Sequence, residues 1–331
     1  MQPPISRFPD PHRVELTDPS FGPIHLSVHE EGTGPAVVFC HGFPELAYSW
    51  RHQLPAVASA GFRAIAADQR GYGASTAPDP IDAYGLTQLT DDVVRLLDAL
   101  DIEKAVVVGH DWGGFVAWGT AVRSPERCLG VVGVCTPYIP FPGTEFLSTL
   151  VDGDVERQYI LWFQEPGVAE GVIDPRARLV FEKLMVGGVD PATVRASADG
   201  RRDMNPFRDL DGLVTHGEPI TDVESIDHYA AVFERTGFRG GINWYRNIDA
   251  NIRALPEIGS EVLDLPALMI CAEWDPALPP ALAAGMPNVC TDLEMHTIAG
   301  AGHWVQQEYP DEVNALLVDW LRRRFRTATG S

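Results

Sequence analysis

The sequence predicts an α/β fold: a mostly parallel central sheet flanked by helices and interrupted by an inserted helical segment. Three observations carry this expectation. Short apolar, β-branched runs at 36–41, 62–68, 105–108, 128–137 and 266–275 lack polar alternation, as strands covered on both faces do. Stretches of helical period lie between them; Leu86, Leu89, Val93, Leu96, Leu97 and Leu100 share one helix face. From Tyr138 to about Leu255 this rhythm stops and aromatic-rich helical pieces with Pro and Gly interruptions take over. The expected division is a first core part, 1–137, an inserted helical unit, 138–255, and a second core part, 256–331.

Taken in order, RVELTD and IHLSVHEEG alternate apolar and polar residues, which predicts an antiparallel hairpin at the sheet edge. The run 36–41 ends in His41-Gly42-Phe43-Pro44, a turn that aims backbone N–H groups into the crevice above a parallel sheet. A helix is expected at Ala47–Ala58. Gly71 and Gly73 are turn glycines, since the phosphate-loop spacing fails and no Lys-Ser/Thr follows. Next comes KAVVVGHDWGGFVAWGT, from Lys104 to Thr120, which reads as strand, sharp turn and helix. Gly109, Asp111 and Gly113 hold the positions of a nucleophile elbow, where neighbouring turns leave no room for a Cβ on the flanking residues. The plainer alternative is that Asp111 only N-caps the helix that follows. After the insertion, 266–275 and 293–300 resume the sheet, and a last helix runs from about Pro310 with Val313, Leu316, Leu317, Trp320 and Leu321 inward. Its acidic start and its Arg322–Arg324 run suit the helix dipole.

Composition limits the function classes. With 45% hydrophobic and 21% charged residues the chain can bury a sizeable core. A net charge of -21 argues against nucleic acid or an anionic membrane as partner, because both need clustered cations. Only Lys104 and Lys183 are lysines, an arginine bias that suggests a bacterial source. Cys40, Cys128, Cys135, Cys271 and Cys290 sit in apolar runs and read as buried thiols of a reducing compartment. No Cys/His cluster has metal-binding spacing, so neither metal nor cofactor is expected. The opening MQPPISRFPD lacks a signal-peptide core, and no stretch is long enough to span a membrane. A cytoplasmic monomer or homodimer is the expectation.

Two further residues complete a catalytic order. Asp275 closes one buried run, and His303 lies just after another in Gly300-Ala301-Gly302-His303-Trp304. Nucleophile, acid and histidine thus follow one another as Asp111, Asp275 and His303. Glu273 is a rival acid that an extended strand would place deeper, and His110, adjacent to Asp111 in a tight turn, is a poor rival base. A carboxylate nucleophile narrows the chemistry, because its attack on an ester or amide would give a high-energy anhydride. Attack on an sp³ carbon instead gives an alkyl ester of Asp111, which a water activated by His303 can hydrolyse. The backbone N–H groups of Phe43 and Trp112 would form the oxyanion hole. Epoxides and alkyl halides suit such a site. An epoxide oxygen needs acidic donors such as tyrosine on ring opening, whereas a halide needs weak ones. The insertion offers Tyr159 in RQYILWFQEPGVAE and Tyr245 in GFRGGINWYRN, though by position each also reads as an aromatic packing a helix on the core.

HGFPELAYSWRHQLPAVASAGFRAIAADQRGYGAS, VVVGHDWGGFVAW, YILWFQEPGVAE, GFRGGINWYRN and AGHW together resemble the soluble epoxide hydrolases of the α/β-hydrolase superfamily. The resemblance runs from about residue 13 to 322 and does not include the N-terminal phosphatase domain of the mammalian members. It implies an α/β-hydrolase fold with a helical cap, Asp111 as nucleophile, Asp275 and His303 as the charge pair, and Tyr159 and Tyr245 as donors to the epoxide oxygen. The expected substrate is a hydrophobic epoxide, with water as co-substrate, in a pocket lined by Phe43, Trp112, Trp162 and Trp304. The alternatives are a haloalkane or haloacid dehalogenase with the same Asp nucleophile, which would favour a halide donor where Phe43 stands, and a catalytically silent receptor on the same fold.

Overall fold

In a computed structural model, which describes residues 8–191 and 203–325, eight strands form one sheet. The leading residues 1–7, part of the stretch read for a signal segment, lie outside this description. The strands are β1 (His12–Asp18), β2 (Gly22–Glu31), β3 (Ala36–Cys40), β4 (Arg63–Asp68), β5 (Ala105–His110), β6 (Cys128–Val134), β7 (Leu263–Ala272) and β8 (Cys290–Ile298). Their spatial order is β1-β2-β4-β3-β5-β6-β7-β8. The hairpin β1–β2 is antiparallel at the edge, β2 meets β4 antiparallel, and every other pair is parallel.

Alternation along each strand divides the core into two layers. Val38, Ile65, Val107 and Val131 face α2 (Leu86–Ala99) and α3 (Trp112–Arg123), where Leu89, Val93, Val116 and Ala117 are buried. Val37, Phe39, Val106, Val108, Val132, Leu268 and Ile270 face the other layer, made by α1 (Gln53–Ser59) and the C-terminal helix. Because both faces are covered, these strands carry no polar alternation.

The expected single helix at 47–58 is instead a 3₁₀ turn, Ala47–Trp50, followed by α1. Arg51, between them, turns its guanidinium inward to Gln307 Oε1 at 2.6 Å, and Pro55 has no N–H to donate to the Arg51 carbonyl. The run 128–137 leaves the sheet at Val134, since Cys135 adopts a left-handed φ of 61°. Likewise β7 stops at Ala272, so Asp275 stands in the loop beyond the strand.

Between β6 and β7 the described residues add α4 (Thr144–Thr149), α5 (Tyr159–Trp162), α6 (Val168–Ile173), α7 (Ala177–Leu184), α8 (Val223–Thr236), α9 (Arg239–Arg246) and α10 (Ile248–Ala254). They contain no strand of the sheet, only isolated bridges at Gln158–Met204 and Val186–Pro219. After β8 come the short α11 (Val305–Glu308) and α12 (Pro310–Phe325). Val313, Leu317, Trp320 and Leu321 of α12 are buried and Leu316 is half-buried. Its terminal arginines do more than meet the dipole: Arg323 and Arg324 pair across to Glu294 and Asp292 of β8. Among the described residues no helix is long and apolar enough to cross a membrane.

Candidate active site

The turn after β5 is shaped by what its neighbours exclude. A Cβ at Gly109 would lie 1.9 Å from Gly113 O, and one at Gly113 would lie 2.0 Å from Cys40 O. Only glycine fits at these two positions. Asp111 between them has φ 50° and ψ -123°, a strained conformation for a residue with a side chain, costing about 1–3 kcal/mol. The turn is secured through its carbonyl, which accepts from Gly114 N at 2.9 Å and Thr136 Oγ1 at 2.7 Å. The Asp111 side chain does not cap α3. It is turned to the crevice above the sheet, so the N-cap reading fails.

There its two oxygens have different neighbours. Oδ1 accepts from the Phe43 amide at 2.8 Å, and Oδ2 lies 3.6 Å from His303 Nε2. Trp112, as the first residue of α3, has an amide without an intrahelical acceptor. His303 Nδ1 donates to Asp275 Oδ2 at 2.8 Å. Asp275 Oδ1 in turn accepts from Ala277 N and Leu278 N at 2.8 and 2.9 Å. Glu273 is engaged elsewhere, accepting from Gly300 N at 2.8 Å. Asp111, His303 and Asp275 are therefore brought together, and Glu273 is not part of the group.

The charges are coupled. Burial would raise the Asp275 carboxyl, but His303 and the two loop amides outweigh it and hold the group down at about 2. Burial would lower His303, yet Asp275 and Asp111 together lift it well above the ordinary imidazole range. Glu45, fully buried, is likewise held at about 2: burial opposes this, and His110 wins. Stability follows from the signs. Depressed carboxylates contribute above their unfolded range near 4 and lose that contribution as pH falls toward 2. The raised His303 contributes below its unfolded value near 6.5 and loses this as pH rises through its folded value. Urea unfolding followed from pH 6 to pH 2 should show a falling midpoint below about pH 4, reduced in Asp275→Asn; a flat profile would contradict the coupling.

Tyr159 and Tyr245 meet one another close enough to Asp111 that each phenol feels its charge. Their rings are 5.6 Å apart, and Tyr245 packs edge-on to Phe43 at 5.3 Å and to Trp112 at 5.1 Å. Burial, reinforced by the Asp111 charge, raises both phenols, so they stay protonated. Phe163 and Phe207 join them: Phe163 lies 5.2 Å from Tyr245 and 5.6 Å from Phe43, and Phe207 lies 5.7 Å from Tyr159. Trp162 is in ring contact with Phe163 at 5.9 Å, while Trp304 packs on His303 at 4.8 Å and donates to Leu184 O.

Sequence reasoning missed Phe163, Phe207, Glu45 and the part played by His110. Phe163 had a signal, the i, i+4 spacing from Tyr159 that puts both on one helix face. Phe207 had none. His110 is fully buried and turned from the Asp111 carboxylate, with Nδ1 on Glu45 Oε2 and Nε2 on His303 O, each at 2.7 Å. Glu45 also accepts from Gly42 N and from the side chains of Gln306 and Gln307. One carboxylate thus ties the Phe43 turn, the elbow and the His303 segment together.

Comparison with known proteins agrees with this geometry. Residues 35–310 match the family model for the alpha/beta hydrolase fold. The chain is 39% identical over 308 residues to epoxide hydrolase A of Mycobacterium tuberculosis, covering 90% of this chain and 94% of that one. It is 38% identical over 305 residues to bifunctional epoxide hydrolase 2 of Sus scrofa, covering 90% of this chain but 53% of the relative. The chain thus spans about half the length of that mammalian relative. Among solved structures, epoxide hydrolase A of Mycobacterium thermoresistibile superposes with a TM-score of 0.83 at 40% identity, covering 94% of this chain and 98% of that one. Epoxide hydrolase I of potato (Solanum tuberosum) does so with 0.78 at 30% identity, covering 95% and 99%. With fold, elbow and sequence pointing the same way, the chain belongs to the α/β-hydrolase superfamily and, within it, to the epoxide hydrolases.

Proposed function

We propose that this protein hydrolyses a hydrophobic epoxide to a vicinal diol through an ester of Asp111. The observation that carries the proposal is the asymmetric setting of the Asp111 carboxylate, one oxygen on the Phe43 amide and the other open beside His303, beneath two protonated phenols. Residues 138–255 act as a cap over the core parts 1–137 and 256–331, bringing those phenols to the site.

Asp111 Oδ2 attacks an epoxide carbon, the C–O bond breaks, and Tyr159 or Tyr245 gives the departing oxygen its proton. Alkylation removes the negative charge of Asp111, one of the two carboxylates that hold His303 protonated. His303 then returns a proton to the phenolate and becomes the neutral base. It takes a proton from water, whose oxygen attacks the ester carbonyl while Phe43 and Trp112 amides hold the oxyanion. Collapse releases the diol and restores the carboxylate and the imidazolium. Asp275 keeps the proton of His303 on Nδ1 throughout. The aromatic surroundings, Phe43, Trp112, Phe163 and Phe207, favour an apolar substrate. The five buried free thiols support a cytoplasmic location.

The test is the double substitution Tyr159→Phe with Tyr245→Phe, which keeps the ring packing and removes only the two O–H donors. Ester formation from a styrene-type epoxide is expected to slow by roughly 10²–10⁴-fold. Unimpaired turnover would refute the assignment, and halide release from haloalkanes without diol formation would favour a dehalogenase.

A further inference from the structure

The seam between the inserted segment and the His303 loop contains a residue with no part in the steps above. Glu308, half-buried at the end of α11, accepts from two main-chain amides of different segments: Oε1 from Gly188 N at 2.8 Å and Oε2 from Gly302 N at 2.7 Å. Gly302 immediately precedes His303, and Gly188 lies just past α7. The two stretches touch backbone to backbone. A Cβ at Gly188 would meet Gly302 N at 2.5 Å and Gly300 O at 2.7 Å, and one at Gly302 would meet Gly188 N at 2.6 Å. Each of the two amides needs an acceptor, and the one Glu308 carboxylate serves both. The same seam carries Trp304 Nε1 donating to Leu184 O at 2.6 Å.

We propose that Glu308 is a positioning residue for ester hydrolysis. By bridging Gly188 and Gly302 it ties the residues just past α7 to the His303 loop and sets the angle of the imidazole. The proposal rests on the epoxide-hydrolase reading above. It concerns the second half-reaction because Asp275 anchors only Nδ1, whereas the Nε2 edge, 3.6 Å from Asp111 Oδ2, is aimed by the main chain on either side of His303. The first half-reaction relies on Asp111, Phe43, Tyr159 and Tyr245, and both tyrosines are held on the core by ring contacts with one another, Phe43, Trp112 and Phe163, away from the Glu308 seam.

The experiment is rapid mixing of Glu308→Gln with a styrene-type epoxide, reading ester formation and decay by quench and intact-protein mass. The amide keeps the size but turns a donor toward one of the two N–H groups. Ester decay is expected to slow about tenfold or more while ester formation stays within about threefold, so the ester accumulates and kcat and KM fall together. Gly188→Ala, which parts the same two segments while leaving the Glu308 side chain itself in place, should give the same split and carries the test if Glu308→Gln does not fold. Equal slowing of both steps, or no change in either, would overturn the positioning role. Wild-type protein that forms neither ester nor diol with any epoxide would refute the parent reading instead.

Discussion

Asp111→Ala is expected to lower diol formation by roughly 10⁴-fold or more, because the neighbouring carboxylates Glu45, Glu273 and Asp275 are engaged by His110, the Gly300 amide and His303 and do not replace it as nucleophile. The loss should be chemical and not a failure to fold. The elbow is held through the Asp111 carbonyl by Gly114 and Thr136, and the carboxylate contributes no cap to α3. Circular dichroism of the variant should therefore match that of the wild type while the diol assay falls to background. Substantial residual turnover would rule out a covalent route through Asp111. A single turnover in heavy-oxygen water adds a second check: since water attacks the ester carbonyl, the label should enter Asp111 and not the diol.

His303→Gln should separate the two half-reactions. Attack by Asp111 needs the carboxylate and the phenols, so the ester still forms. Its hydrolysis lacks a base and should slow by roughly 10²–10⁴-fold. Intact-protein mass spectrometry then reads the chemistry directly. Ring opening has no leaving group, so an epoxide adds its whole mass to the protein, whereas a haloalkane would add its mass less one hydrogen halide. A variant that acquires no adduct from any epoxide would count against the mechanism. Asp275 belongs to the same step, and Asp275→Asn should slow ester decay by misorienting the imidazole.

Most of the fold was legible because its signals are local. A short β-branched apolar run such as Val106–Val108 followed at once by glycine reads as a strand covered on both faces, and leucines at helical spacing assign α2. The elbow was legible for the same reason: Gly109 and Gly113 mark a turn where backbone approaches backbone, and the distances to Gly113 O and Cys40 O bear that out. Less legible were the points where tertiary contact overrides local preference. The expected helix at 47–58 is interrupted where Pro55 has no N–H to donate to the carbonyl of Arg51, and Arg51 meets Gln307, a partner distant in sequence. Asp275 leaves its strand to reach His303, and the amides of Ala277 and Leu278 make that loop conformation tenable.

The buried strands, the carboxylate at the elbow and the chain order of Asp111, Asp275 and His303 were readable from residue type and short-range spacing. Which groups face one another became visible in the folded chain. It placed Phe163 beside the tyrosines, put Phe207 against Tyr159 from more than forty residues away, and joined the Phe43 turn, the elbow and the His303 segment through the buried Glu45. The reason is physical: a contact between distant segments leaves no periodicity in either one, because it is set by packing and hydrogen-bond demand once the chain is folded.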